Sequence, residues 1–130
     1  MGNKMDKILA EISAGELIDK ITILEIKQDK ISEKDKLMNI QNELSSLNET
    51  FKKYIPDQDE IVNFKEDLKK INLKLWEIEE GKKFAEKNKK FDENFIELAR
   101  NVYKFNDERA KIKLAINDKL GSNIKEVKSY

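Results

Sequence analysis

The chain has 130 residues, of which 40% are charged and 38% hydrophobic, and its 26 basic residues are balanced by 26 acidic ones. Zero net charge argues against a general nucleic-acid binder, which needs a basic surface to displace counterions. The chain has no Cys and no His, which excludes disulfides, thiolate chemistry and the commonest metal ligand. Leu, Ile and Phe recur at helical spacing, so we expect an all-α protein rather than a disordered chain. We expect it to bind no metal or cofactor.

Residues 1–12 are expected to form an N-terminal arm. They contain no apolar core of signal-peptide length. No stretch of the chain approaches the roughly 18 apolar residues that a membrane span needs. We therefore expect a cytoplasmic protein with no membrane partner.

The first predicted helix begins at a capping box. Ser13 is placed to accept a hydrogen bond at the helix start, and Glu16 is placed to reach back to it. Between Leu17 and Ile26, apolar side chains lie nearly all around the helix. A helix of this kind is buried between several neighbours, so we expect it at the centre of a bundle or of a dimer interface.

A second apolar stripe follows at alternating three- and four-residue spacing. It comprises Leu37, Ile40, Leu44, Leu47 and Phe51. On a straight helix this stripe is displaced by nearly half a turn from the first. Either one long helix faces two partners, or it breaks within residues 32–35, and we favour the break. If the protein is an interaction module, residues 37–51 are the predicted exposed apolar patch.

Pro56 marks the turn before the next helix, which carries apolar residues from Ile61 to Ile78. The last helix is expected to begin at Asp92 and to end at Gly121. The tail, residues 122–130, is expected to dock through Ile124, Val127 and Tyr130. The predicted fold is a single domain over residues 1–130. It is an elongated antiparallel bundle of three long helices, the first of which can be broken into two.

Polar residues interrupt the apolar stripes of the last two helices. The projection places these side chains in the interior: Asn72, Glu79, Asn106, Arg109, Lys113 and Asn117. The chain has only two Arg, and Arg100 falls outside the stripe that holds Arg109. Arg binds carboxylates and phosphates in a bidentate way that Lys cannot reproduce, so Arg109 is the residue most suited to a specific role.

Two interpretations of this interior set remain open. In the first, Arg109 and Lys113 bind a small carboxylate or phosphate, three Asn residues orient it, and Glu79 acts as acid or base. In the second, the residues form a structural polar layer that fixes helix register and orientation. We favour the structural layer, and we predict no metal site.

Two blocks of sequence resemble a known family. The first is SAGELIDKITILEIK, residues 13–27, and the second comprises residues 75–79, 91–103 and 106–110. They are similar to a family of short bacterial and phage proteins whose function is unknown. The resemblance covers nearly the whole chain. Because the family has no assigned activity, the resemblance implies no catalytic residue.

The function favoured by the sequence is a non-enzymatic accessory or protein-interaction module, with a second copy or another protein as its partner. Its narrow apolar stripes favour a dimer that associates as a coiled coil. The alternative is a small-ligand-binding protein or enzyme built on the interior polar set between the last two helices. An enzyme predicts a pocket in which Arg109 lacks a protein partner, whereas a structural layer predicts an Arg109 that Glu79 or backbone carbonyls already satisfy.

Overall fold

The structure, a computed structural model, describes residues 7–55, 57 and 59–122. Its elements are α1 (Ala14–Lys30), α2 (Lys34–Tyr54), a 3-10 turn (Asp59–Ile61), α3 (Val62–Asn88) and α4 (Glu93–Leu120). None of the described residues forms a strand, so the all-α prediction is confirmed. Across these ranges, no helix has the length and apolar character that crossing a membrane requires.

The predicted first long helix is two helices. The chain is extended at Ile31, between α1 and α2. Because the apolar stripes of the two segments point in different directions on a continuous helix, a straight helix could not bring both against one core. The break lets Ile21 and Leu24 of α1 share a core with Ile40 and Leu44 of α2. The described residues therefore form four α-helices instead of three long ones.

α1 lies at the centre of the core. Eight of its 17 residues are buried, and Ile18 and Ile21 are completely inaccessible to solvent. The helix contacts α2, α3 and α4. The prediction that α1 is buried between several neighbours is therefore confirmed.

The apolar stripe of α2 faces this core. Ile40, Leu44 and Phe51 are buried, and Leu47 packs partly buried against the same cluster. The predicted exposed apolar patch along residues 37–51 is therefore wrong. The stripe is covered because α2 folds back on α1 after the break and buries its apolar face there.

Helix caps form at the residues where the sequence predicts them. The Ser13 hydroxyl accepts a hydrogen bond from the Glu16 amide at 3.1 Å, and Asp92 accepts one from the Phe95 amide at 3.2 Å. Gly121 ends α4 with a left-handed φ of 62°, a conformation that glycine adopts at little cost. These ends fix the lengths of α1 and α4.

α3 and α4 extend beyond the end of α1. Lys30, the last residue of α1, lines a groove with Trp76, Glu77 and Glu80 of α3. Past this level α3 and α4 pack on each other, with Gly81 against the Leu98 side chain. We call residues 81–102 the distal hairpin. Its large apolar side chains are partly exposed because α1 does not reach them.

The chain ends fall largely outside the described residues. Of the predicted arm, residues 7–12 are described; they are not helical, and Ile8 and Leu9 are exposed. The predicted docking of the tail through Ile124, Val127 and Tyr130 concerns residues outside the described ranges. The single domain over residues 1–130 stays a prediction.

Candidate functional site: a polar seam between three helices

A continuous set of polar side chains lies between α1, α3 and α4. We call it the polar seam, and it comprises Glu16, Asp19, Thr22, Asn72, Asn106, Arg109, Lys113 and Asn117. On α1 the three polar residues follow one another at three-residue spacing, which places them along one side of the helix. α3 contributes Asn72, and α4 contributes the remaining four.

Asp19 is at the centre of the seam. Its side chain is completely buried. The Arg109 guanidinium donates two hydrogen bonds to the Asp19 carboxylate, from Nε to Oδ1 at 2.9 Å and from a terminal nitrogen to Oδ2. The Asn72 side-chain amide donates a third, to Oδ1, at 2.9 Å. A buried carboxylate is stable only when it is paired and hydrogen-bonded, and Asp19 meets both conditions.

Neighbouring side chains extend this network. The Asn72 amide also donates to the Thr22 hydroxyl at 2.9 Å. The Thr22 hydroxyl in turn donates to the Asp19 backbone carbonyl at 2.8 Å. On the other side, Arg109 donates to the Asn106 side-chain oxygen at 3.5 Å. α1, α3 and α4 are thus tied together by one set of hydrogen bonds around a single carboxylate.

A second ion pair lies one turn before Asp19. Lys113 of α4 donates to the Glu16 carboxylate at 2.6 Å. Their side chains are 15% and 21% exposed. Lys20 also lies 3.6 Å from Glu16, so this end of the seam is closer to solvent than Asp19 is.

The C-terminal end of α4 caps the N-terminal end of α1. The Gly15 amide donates to the Asn117 side-chain oxygen at 2.6 Å, and the Ala14 amide donates to the Ser122 hydroxyl at 3.3 Å. These amides are among those at a helix start that have no partner within the helix. Together with Ser13, α4 satisfies the first turn of α1.

Gly15 is required by the close approach of the two helices. A Cβ at this position would clash with the Lys113 backbone carbonyl and would come within 3.0 Å of the Asn117 side-chain oxygen. Asn117 itself is buried, and its side-chain nitrogen has no hydrogen-bond partner among the described residues. The Asn117 side chain thus caps Gly15 through its oxygen, while its nitrogen makes no hydrogen bond within the described part of the chain.

The seam brings together five of the six predicted interior residues. Asn72, Asn106 and Arg109 meet at Asp19, Lys113 pairs with Glu16, and Asn117 binds Gly15. Whether these residues bind an external ligand stays a prediction.

The predicted interior position of Glu79 is wrong. Its side chain is 53% exposed and lies 3.3 Å from Lys82 on the same helix. The stripe of α3 continues through Glu79, but the end of α1 lies beside Trp76, Glu77 and Glu80. The helical projection assumes that neighbouring helices cover the whole stripe of α3, but α1 ends near the level of Glu79.

The sequence interpretation did not include Asp19 or Thr22 in the interior polar set, and it explained Glu16 as a helix cap. The signal was present, because α1 is apolar on nearly all sides between Leu17 and Ile26. A polar residue inside such a helix must be buried too, and a buried carboxylate needs a cation. The partner of Arg109 could have been sought on α1 instead of at Glu79.

The charged groups of the seam form ion pairs with one another. The guanidinium and the ammonium that were predicted to bind an anion both hold carboxylates, and these carboxylates belong to the chain itself. Within the described part of the chain, no group of three or more potential ligand residues could hold a metal ion. The arrangement can fix the register of α1 against α3 and α4.

Comparison with known proteins identifies the family of the chain. No curated protein and no solved structure matches it. A model of a family of unknown function, DUF6165, matches residues 8–130. This match spans the polar seam, the distal hairpin and all four helices. The chain therefore belongs to the DUF6165 family, whose function is unknown.

Proposed function

We propose that the protein is a non-enzymatic interaction module that binds a protein partner through α4. The observation that carries this proposal is a second apolar stripe on α4, facing away from α3. We call it the outer face, and it comprises Ile96, Ala99, Tyr103, Ala110 and Leu114. The spacing of these residues is that of a helix–helix contact surface.

The outer face is exposed to solvent. Ile96 is 47% exposed, Tyr103 is 64% exposed and Leu114 is 38% exposed. Side chains on the opposite side of α4 contact α3, including Leu98 at Gly81 and Phe105 beneath the Lys74 ammonium. A helix with apolar residues on both sides, one of which the described residues leave largely exposed, has the form expected of a helix that binds a partner.

The burial of α4 as a whole supports the same proposal. Only Ile116 and Asn117 are buried among its 28 residues. α1 has a comparable fraction of apolar residues, but nearly half of its residues are buried. α4 therefore has helical surface left for another molecule.

The polar seam supports a structural role rather than a ligand site. A binding or catalytic Arg is expected to lack a protein partner before its ligand arrives. Arg109 already makes a bidentate pair with Asp19 and a further hydrogen bond to Asn106. Opening the seam to an anion would separate Asp19 from its cation, and burying an unpaired carboxylate is costly.

An elongated antiparallel arrangement of the helices belongs to the same proposal. The Lys74 ammonium lies 5.0 Å from the centre of the Phe105 ring, and further along α3, Gly81 lies against Leu98. Residue numbers rise along α3 as those of their contacts fall along α4, which supports antiparallel packing. The distal hairpin then projects away from α1 and presents part of the outer face.

Photo-crosslinking in cells tests the interaction surface. A photoreactive residue at position 96 or 103 should give one and the same protein adduct from both positions. Position 83 provides the matched control, because Lys83 is also exposed, at 75%, but lies on α3. Adducts at 83 that equal those at 96 and 103, or no adduct from the outer face, would overturn the proposal.

A thermal unfolding screen tests the ligand-binding alternative directly. Small carboxylates and phosphates are added to the wild type and to Arg109→Met, since a ligand that binds only the native state must raise its melting temperature. The proposal expects no ligand that stabilises the wild type selectively. A compound that stabilises the wild type but not the variant would assign the seam to ligand binding.

A further inference from the structure

We infer that the partner on the outer face is α4 of a second copy of the chain, lying antiparallel to the first. This inference rests on the proposed function and specifies its partner. It is carried by the charges beside the outer face. Along one flank at the start of α4, two acidic residues, Glu93 and Glu97, are followed by two basic residues, Arg100 and Lys104. Asp107 and Lys111 continue this flank beyond them.

All four charged side chains belong to exposed residues. At about 100° per residue, they lie on one side of the line through Ile96 and Tyr103. The other side of this line carries Ala99 and Ala110, which have no charge. The outer face therefore has one charged flank and one small, uncharged flank.

The order of the charges selects the direction of pairing. In a symmetric antiparallel pair of helices, the same flank of each helix meets its copy. A two-fold axis between Glu97 and Arg100 then places Glu93 near Lys104 of the second copy. The same axis places Glu97 near Arg100 of the second copy, so each acidic residue meets a basic one.

Parallel pairing does not use these charges. In a parallel pair, the charged flank of one helix lies against the opposite flank of the other. That flank carries Ala99 and Ala110, so no charge of the set would meet an opposite charge. Charges beside an apolar seam commonly set the partner and the orientation of paired helices.

The apolar residues in the first half of α4 fit the same axis. The two α4 helices overlap over residues 93–104, so Ala110 and Leu114 of the outer face lie beyond this overlap. Ile96 and Tyr103 lie on either side of it, and Ala99 lies almost on it. A small side chain near the axis permits close approach of the two helices. Ile96 and Tyr103 of both copies would then cover one another and lose the exposure that they have in the single chain.

The test is a charge exchange between two purified variants. One carries Arg100→Glu with Lys104→Glu, and the other carries Glu93→Lys with Glu97→Lys. Sedimentation is measured from about 1 to about 100 µM, because a dimer population depends on protomer concentration. The wild type should be dimeric, and each variant alone should associate more than about tenfold more weakly, because like charges then face each other. An equimolar mixture should recover the wild-type affinity as a heterodimer.

A control variant carries Lys83→Glu with Lys87→Glu, which reverses two exposed charges on α3 and should leave the dimer unchanged. A second measurement does not depend on charge changes. The chain lacks cysteine, so Ala99→Cys provides a single thiol next to the proposed axis. A short bismaleimide should crosslink Ala99→Cys to its copy, and should crosslink Lys83→Cys much less.

A monomeric wild type across this range overturns the inference. So does a charge variant that folds and dimerises like the wild type, or a mixture that does not recover affinity. Equal crosslinking of the two cysteine variants overturns it as well. A monomeric wild type that still gives a specific adduct at positions 96 and 103 in cells leaves the proposed function standing, with a different protein as partner. A monomeric wild type without such an adduct overturns both this inference and the proposed function.

Discussion

α1 and α4 both carry apolar residues on more than one side, but they are covered very differently. α1 buries eight of its 17 residues, whereas α4 buries two of its 28. α1 contacts α2, α3 and α4, whereas α4 makes most of its contacts among the described elements with α3. The apolar spacing of a helix therefore indicates how many surfaces it can bury, while the neighbours decide how many it does bury.

The same contrast separates the polar seam from the distal hairpin. In the seam, a charged residue such as Asp19 is buried because the chain supplies its partners. In the distal hairpin, apolar residues such as Phe84 and Phe91 remain 62% and 52% exposed because none of the described helices covers them. The buried charge is accompanied by its partners within the chain, whereas these apolar residues are left exposed by the residues that the structure describes.

The largest expected effect is at the centre of the seam. Arg109→Met leaves the buried Asp19 carboxylate without its cation. We expect the free energy of unfolding to fall by about 3 kcal/mol, near the lower end for a broken buried ion pair because Arg109 is 29% exposed. Urea unfolding followed by circular dichroism measures this loss.

The control for that change is Lys83→Met, which removes an exposed cation and should alter stability by less than about 0.5 kcal/mol. Adding Asp19→Leu to Arg109→Met removes the unpaired charge and should recover part of the loss. Equal stability of Arg109→Met and Lys83→Met would show that the seam does not stabilise the fold.

Two glycines contrast the same regions at the level of backbone packing. Gly15→Ala places a Cβ against the Lys113 backbone, which cannot move without shifting α4. We expect a loss of about 2 kcal/mol, as for other overpacked sites. Gly81→Ala meets only the end of the Leu98 side chain, at 3.1 Å, and should be neutral or stabilising by up to about 1 kcal/mol, because alanine favours a helix interior.

Thermal and urea unfolding of both glycine variants check this pair of expectations. Similar losses in Gly15→Ala and Gly81→Ala would contradict the distinction between a rigid and an adaptable contact.

A smaller effect is expected at the cap of α1. Asn117→Ala leaves the Gly15 amide without its acceptor, although it also removes an unsatisfied buried donor. The net loss should be about 1 kcal/mol. Asn88→Ala is the matched control, because Asn88 is exposed and bonds only within its own turn. A cap that contributes nothing would make the two variants equally stable.

The smallest effect is expected at Phe84 in the distal hairpin. Phe84→Gln should change the free energy of unfolding by less than about 0.5 kcal/mol, since the side chain is mostly exposed. Urea unfolding at low protein concentration measures the change. A loss above about 1 kcal/mol would mean that the Phe84 side chain is packed against other residues rather than mostly exposed to solvent.

Much of the secondary structure could be predicted from local sequence. Ser13 and Asp92 lie at the starts of α1 and α4, and Gly121 lies at the end of α4, as expected, because capping depends on a few neighbouring residues. Five interior polar residues were also placed correctly, because helical periodicity carries that information. Glu79 was misplaced for the same reason that the others were found, since periodicity cannot show where a neighbouring helix stops.

The pairing of charges could not be predicted in this way. Arg109 was expected to bind Glu79 or a backbone carbonyl if it was structural, and it binds Asp19 on another helix. The two residues are separated by 90 positions in the chain. Nothing in the periodicity of α4 identifies which helix lies opposite Arg109.

The sequence by itself determined that the chain is all helical, where several helices begin and end, and which side of each helix is apolar. Those properties follow from backbone hydrogen bonding and side-chain spacing within a few turns. Only the tertiary structure decided that the apolar stripe of α2 is covered, that α1 stops before Glu79 and that Ile96 and Tyr103 of α4 are exposed rather than buried. These outcomes depend on the register and reach of one helix against another, which are set by packing over the whole core.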